Sequence, residues 1–327
     1  MDTIKSKKQK LEYLQKIVST GGNCDYEGPS AIFKYRKFDQ YTYSMLENKT
    51  IFLSGAYRQD DETECMTKID AYELYDFYAH NLKPISVELI TSLVKPYCSE
   101  YNYMQIKQMV YECVLKNGKV RTHFLLDIAP TIQELAPNFD SAILFNLLAN
   151  IPDKLDEKEV RDRVNVLIEI AADAQNNTGI CSFAITANND DLWKRYGDGE
   201  TGYCVEYDTK DYEYKNRILP VIYDDNRNYR IIMAILGNFI GTFVTSISHG
   251  EIKADNTHYL RLFLSKTTKW EQQDEWRIVD PGNPDSDFSA PAIKRIILGK
   301  NVSKKNEKEM RDFCERNKIE IIKISSD

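Results

Sequence analysis

The sequence predicts an α+β fold, with a mixed central sheet built from both ends of the chain and a mostly helical insertion between the early and later strands. Three observations predict it. Short strand-like segments occupy residues 31–57 and return from 178 to the end. From about 71 to 177 apolar residues recur instead at three- and four-residue spacing, the period of a helix face. No internal repeat or low-complexity linker separates the two kinds of segment, so 327 residues read as one α+β domain over 1–327.

The N-terminal helix, within 1–20, carries Leu11, Leu14, Ile17 and Val18 on one stripe, and Lys5, Lys7, Lys8 and Lys10 read as its solvated face. GGNCDYEGPS is a turn-rich break, after which AIFKYRKF, a short helix and KTIFLSGAY supply the early strands of 31–57. The helical insertion of about 71–177 is made of ISVELITSLV, MQIKQMVYECVL, SAILFNLLAN and EKEVRDRVNVLIEIAADA. Its last helix is expected to start at an Asp156 cap, with Glu157 and Glu159 in the first turn, and to end at Asn176-Asn177 before Gly179.

The main sheet region, 178–327, opens with the strand GICSFAIT, followed by a short helix and turn in NDDLWKRYGDG and by the strands GYCVEYD and ILPVIYDD. YRIIMAILGNFIGTFVTSI reads as a buried helix whose Gly237 and Gly241, four apart, permit close packing. YLRLFLS, WEQQDEWRIVD and AIKRIILG read as strands, SKKNEKEMRDFCERNK as a helix and IEIIKIS as a last strand.

Composition narrows the function. A net charge of −7 argues against a broad basic surface for duplex nucleic acid, because phosphate neutralisation dominates that affinity. The 7 Cys are odd in number, scattered and never in a C-x-x-C arrangement, which disfavours a disulfide framework or a zinc knuckle and points to reduced thiols. No stretch approaches the ~18 apolar residues of a membrane span, so we expect a cytoplasmic protein with no membrane partner. The 4 His show no metal-ligand spacing, and no G-x-S-x-G elbow, P-loop or H-E-x-x-H occurs, so we expect no metal site.

Chemistry concentrates in Leu262–Asp280. With a strand's period of two, Gln273, Glu275 and Arg277 share one face and Asp274, Trp276 and Ile278 the other. Such a polar face either forms an ion-pair ladder or grips hydroxyls and anions. Lys266, Lys269 and Arg277 near Trp270 and Trp276 could stack on and hold a nucleotide or a single strand. Trp193 and Tyr196, one helical turn apart, either wall a pocket or anchor their helix. Gly197, Gly199 and Gly202 follow a helix and precede a strand, the reverse of the dinucleotide fingerprint, so they serve a tight turn. Asp60, Asp61, Glu62 and Glu64 form an acidic run, read first as solvated and second as oxygen ligands for a divalent cation.

Four pieces in order, IFKYRKF (32–38) with IFLSGAY after it, CSFAI (181–185), LWKRYGDGETGYCVEYD (192–208) and K-x-x-x-W-x-x-Q-x-E-W-R (266–277), resemble a bacterial family known as domain of unknown function 2971. Two departures stand out. Tyr57-Arg58-Gln59-Asp60-Asp61 replaces the family's Asn-Asp-Pro loop, and Gln273 replaces the first Glu of its Glu-x-Glu. The order of an early basic strand, a small polar residue on a middle strand and a final Gln-x-Glu also resembles the ADP-ribosyltransferase fold. That resemblance implies NAD as substrate and a protein or nucleic-acid target recognised by the helical insertion, with antiviral defence or conflict between bacteria as the setting; it leaves a partner chain or a homo-oligomer open. It implies catalytic roles for Glu275, at the nicotinamide ribose, and Gln273, toward the acceptor. Tyr35 or Arg36, with Ser182, Trp193, Tyr196 and Arg277, would hold the cofactor. Two alternatives stay open: a non-catalytic sensor or adaptor for a nucleotide or peptide, and a nuclease using Asp60, Asp61 and Glu275 around a metal.

Overall fold

The computed structural model describes residues 6–25, 28–59, 64–65, 70–118, 120–140, 142, 157–234 and 257–324. Its architecture is α+β, and both ends of the chain feed the sheets. The strands divide into two larger sheets. In the first, β1 (Ala31–Arg36), β4 (Tyr203–Asp208), β10 (Ala292–Leu298) and β11 (Glu320–Lys323) lie in that order; β10 and β11 are parallel and the other pairs antiparallel. The second runs β5 (Ile218–Pro220), β8 (Trp276–Pro281), β3 (Thr178–Phe183), β2 (Thr50–Gly55), β9 (Ser286–Ser289), antiparallel throughout. A short parallel pair, β6 (Ile222–Tyr223) and β7 (Ser265–Lys266), stands beside them. The two large sheets meet where Phe33 and Ala184 exchange backbone hydrogen bonds of 2.8 and 2.9 Å.

The main core gathers residues from all these strands, with Ile32, Leu53, Val205, Trp276, Ile278 and Leu298 buried together. Each such side chain contributes about 1.5–3 kcal/mol through burial. The helix Lys7–Ser19 adds Tyr13, Leu14 and Ile17 to that core, and its start is fixed by a capping box between Ser6 and Gln9. Its lysines are not a uniformly solvated face. Lys10 is buried and reaches Asp274, and Lys7 pairs with Asp224 at 3.0 Å.

The insertion is helical over Ala71–His80, Leu82–Val94, Glu100–Cys113, Thr122–Leu135 and Glu157–Asn176. Asp70 and Ser99 cap two of these by accepting backbone N–H groups that the first turn leaves unpaired. Ile90, Val94, Ile106, Val110 and Ile132 close a second core of its own. The last helix ends at Asn176 and the chain enters β3 directly, so Gly179 is a strand residue. A Cβ there would stand 2.3 Å from the Asn283 carbonyl, and this close approach explains the glycine.

Three readings change. YLRLFLS is mostly helix, Thr257–Phe263, because Leu260 and Leu264 close a helical hydrogen bond of 3.0 Å; only Ser265–Lys266 is strand. The segment Thr268–Gln273 is a 3-10 helix that Asp274 ends in the left-handed region at φ 39°, so the strand begins at Trp276 and not at Gln273. ILPVIYDD splits into β5 and β6, and Ser286–Ser289 is a strand not anticipated. Asp60, Asp61, Glu62, Lys5, Asp156, Gly237, Gly241 and most of SAILFNLLAN lie outside the described residues.

Candidate functional site

The junction at Phe33 and Ala184 leaves a cleft of about 990 Å³ between the sheets. Its walls include β1, the end of β3, the helix Asp190–Arg195 with Tyr196, and the Trp270 segment; Glu64, Lys266, Gln273, Glu275 and Arg277 close its inner end. Tyr35, Arg36, Ser182, Tyr196, Gln273, Glu275 and Arg277 thus come together around one cavity, although their elements are far apart in sequence. Trp193 does not join them. It is buried in a small core, edge-on to Tyr35 at 5.0 Å, and its Nε1 donates to the Ala187 carbonyl at 2.8 Å, so it anchors its helix instead of walling the cavity.

The inner end is a closed ring of four charges. Arg277 Nε donates to Glu275 Oε1 at 2.6 Å, and Lys266 Nζ donates to Glu275 Oε2 at 2.7 Å. Lys266 Nζ also pairs with Glu64 Oε1 at 2.8 Å, while Arg277 Nη2 donates to Glu64 Oε2. Each carboxylate therefore bridges both cations, and each cation bridges both carboxylates. Lys266 gives its third proton to Gln273 Oε1 at 3.0 Å, and Arg277 Nη1 donates to the Phe263 carbonyl at 2.6 Å.

All four charged groups are nearly sealed, with 6% of Glu275 and 4% of Glu64 exposed. Burial alone would raise the Glu275 carboxyl; Arg277 and Lys266 overcome it and hold the group below the usual carboxylate range. Burial likewise lowers Lys266, yet Glu275 and Glu64 leave it raised, and the same carboxylates raise Arg277. Cys65 lies 3.7 Å from Arg277 Nη1, but burial pushes its thiol up to about 12, so it is a neutral thiol at neutral pH.

Irregular backbone aims this ring. The left-handed turn at Asp274 reverses the chain between Gln273 and Glu275, so both side chains reach Lys266 without sharing a strand face. The Glu275 amide donates to the Tyr223 hydroxyl, and its carbonyl accepts from Val221 N, each at 2.9 Å. Arg277 sits opposite Ser182 in the β3–β8 ladder, which puts the middle strand's serine beside the charges.

The outer walls differ in character. Trp270 is half-buried, with Arg195 4.6 Å and Lys269 5.0 Å from its ring, and Arg195 is held by both Asp191 oxygens at 2.9 Å. Tyr196 is 46% exposed at the rim. Tyr35 commits its hydroxyl to the Thr186 carbonyl at 2.9 Å. Lys34 donates to the Ser182 carbonyl at 2.7 Å, and Arg58 pairs with Asp285 at 3.0 Å. Among the described residues the Arg36 guanidinium has no hydrogen-bond or ion-pair partner. Among the described residues, seven cationic side chains and two carboxylates line the cleft, and Asp191 and Asp285 pair with two of the cations, which leaves a surplus of positive charge in a chain of net charge −7.

Glu64 is the residue that sequence reasoning placed wrongly. It belongs to an acidic run that reads as solvated, and its partner Arg277 is 213 residues away. Lys266 was legible as a cation near a tryptophan and as the first residue of the K-x-x-x-W-x-x-Q-x-E-W-R motif, but not as the partner of two carboxylates.

No curated protein and no solved structure matches the chain. Residues 192–278, which carry Tyr196, Lys266, Trp270, Gln273, Glu275 and Arg277, match the model of the family described as Protein of unknown function (DUF2971), which supports membership of that family.

Proposed function

We propose that the chain is an ADP-ribosyltransferase-like enzyme that uses NAD to modify a protein or nucleic-acid target, in antiviral defence or conflict between bacteria. The observation that carries this reading is the ionised, buried Glu275 at the inner end of a cleft whose walls supply aromatic faces and surplus positive charge. Nicotinamide leaves with the electron pair of the C1′–N bond, positive charge develops on the ribose, and a fixed carboxylate stabilises it. Both Glu275 oxygens accept from protein donors, yet each retains a further lone pair for a ribose hydroxyl. A nucleophile of the acceptor then bonds to C1′ and its proton passes to solvent.

Gln273 Oε1 is held by Lys266, so its amide nitrogen is the group left to orient an acceptor. Arg36 suits the pyrophosphate, because a planar guanidinium engages two phosphate oxygens and this one is uncommitted among the described residues. Tyr35, with its hydroxyl spent, and Arg277, closed within the ring, position other groups in this reading and do not grip the cofactor. Nicotinamide release from NAD, measured with and without cell lysate, tests it. Release that Arg36→Gln cuts at least tenfold supports the proposal, and dependence on lysate indicates transfer over hydrolysis. No release under either condition removes it.

The closure of the ring favours a second reading, a non-catalytic nucleotide- or peptide-binding sensor or adaptor, since every Lys266 proton and both Glu275 oxygens are satisfied without a ligand. Calorimetric binding of NAD without product would select it. A metal-dependent nuclease needs a cation beside a carboxylate that Lys266 and Arg277 already neutralise, and its activity would depend on added divalent ion.

A further inference from the structure

Glu64 is the one corner of the ring that comes from neither the Gln273–Arg277 segment nor the adjoining β7. Without it, Lys266 and Arg277 would face a single carboxylate, and one Nζ proton and the Nη2 group would lose their partner at the inner end of the cleft. With it, two cations meet two carboxylates and the inner end is neutral. Arg36, which has no hydrogen-bond or ion-pair partner among the described residues, lies on β1, in the opposite wall.

We propose that Glu64 is a specificity determinant: by neutralising the Lys266–Arg277 pair it denies the inner end of the cleft to phosphate and directs a ligand's phosphate groups to Arg36. The ligand's uncharged, hydroxyl-bearing part is then what reaches Glu275. A buried carboxylate is suited to this, because a phosphate arriving beside it meets like charge in a site of low polarisability. The inference deepens the nucleotide reading and rests on it only for the class of ligand.

The experiment is calorimetric titration of the full chain with pyrophosphate and, separately, with adenosine as an uncharged ligand. Arg36→Gln is expected to weaken pyrophosphate binding at least tenfold. Glu64→Gln, close in volume, is expected to strengthen it at least tenfold more than it changes adenosine binding, and Glu64→Gln combined with Lys266→Gln is expected to cancel the gain. A folded Glu64→Gln protein with unchanged or weaker pyrophosphate binding overturns the proposal. So does an Arg36→Gln protein that binds pyrophosphate as the wild type does, an arm that decides the matter even where Glu64→Gln fails to fold. Because binding is read instead of turnover, absence of nicotinamide release leaves this result standing.

Discussion

Lys10 and Asp274 are 264 residues apart in the chain and 2.9 Å apart in the fold, and the same ammonium also donates to the Val221 carbonyl at 3.3 Å. The first helix therefore pins the left-handed turn that separates Gln273 from Glu275. Lys10→Met keeps the buried stem and removes the charge. We expect it to cost about 1–3 kcal/mol, the range for leaving buried polar partners unpaired, measured as a lower urea midpoint with an unchanged m-value.

Breaking the four-charge ring should be costly at any corner. Glu275→Gln leaves two buried cations with one carboxylate, and loss of one partner from a buried pair typically costs about 3–5 kcal/mol. Urea unfolding of the variant checks this. Loss of activity in Glu275→Gln is therefore informative only beside its unfolding curve, and Arg36→Gln, which breaks no pair among the described residues, is the cleaner functional probe.

Acid should weaken the fold through the same ring. The folded Glu275 is depressed relative to an unfolded Glu, near 4.3, so its contribution is complete above that pH and is lost as pH falls toward the folded value. Lys266 is raised, so its contribution is complete below about 10.4 and is lost as pH rises beyond it. Thermal unfolding should show a plateau between about pH 5 and 10 for these two groups, and replacing all four ring residues by neutral ones should flatten the acid limb.

Trp270, with cations around its ring and an open cleft in front, should stack on a planar ligand group. Trp270→Ala is expected to reduce nucleotide affinity by about 1–3 kcal/mol, the range for one base on one aromatic ring. Titration followed by calorimetry measures it; equal losses for nucleotide and pyrophosphate would instead assign the effect to charge placement.

Gly202 approaches the Arg36 carbonyl so closely that a Cβ would lie 2.2 Å from it. Gly202→Ala should displace β1 against β4, lowering stability by about 1–3 kcal/mol and weakening pyrophosphate binding with it. Chemical denaturation paired with pyrophosphate titration checks both effects.

Much of the fold was legible because it is local. The apolar stripe Leu11, Leu14, Ile17 announces its helix, and the alternation in IFKYR and YCVEYD announces β1 and β4. Residues 257–274 were misread because period two and period three-to-four coexist in YLRLFLS, and because a left-handed Asp274 has no composition cue in a polar run. Glu275 and Arg277 meet as the period of two implies, whereas Gln273 was found for an incorrect geometric reason: a turn, not a strand face, brings it to Lys266. Glu64 was out of reach, since nothing local marks one carboxylate of an acidic run as bound for the interior.

The junction of Phe33 with Ala184 carries one more consequence. Two peptide hydrogen bonds join walls that otherwise belong to separate sheets, and each is worth only about 0.5–1.5 kcal/mol net. Lys34 adds a third bond across this seam at the Ser182 carbonyl, and Ile32 and Val205 of one sheet share a core with Leu53 and Ile278 of the other, so what holds the aperture is packing behind the stitch more than the stitch itself.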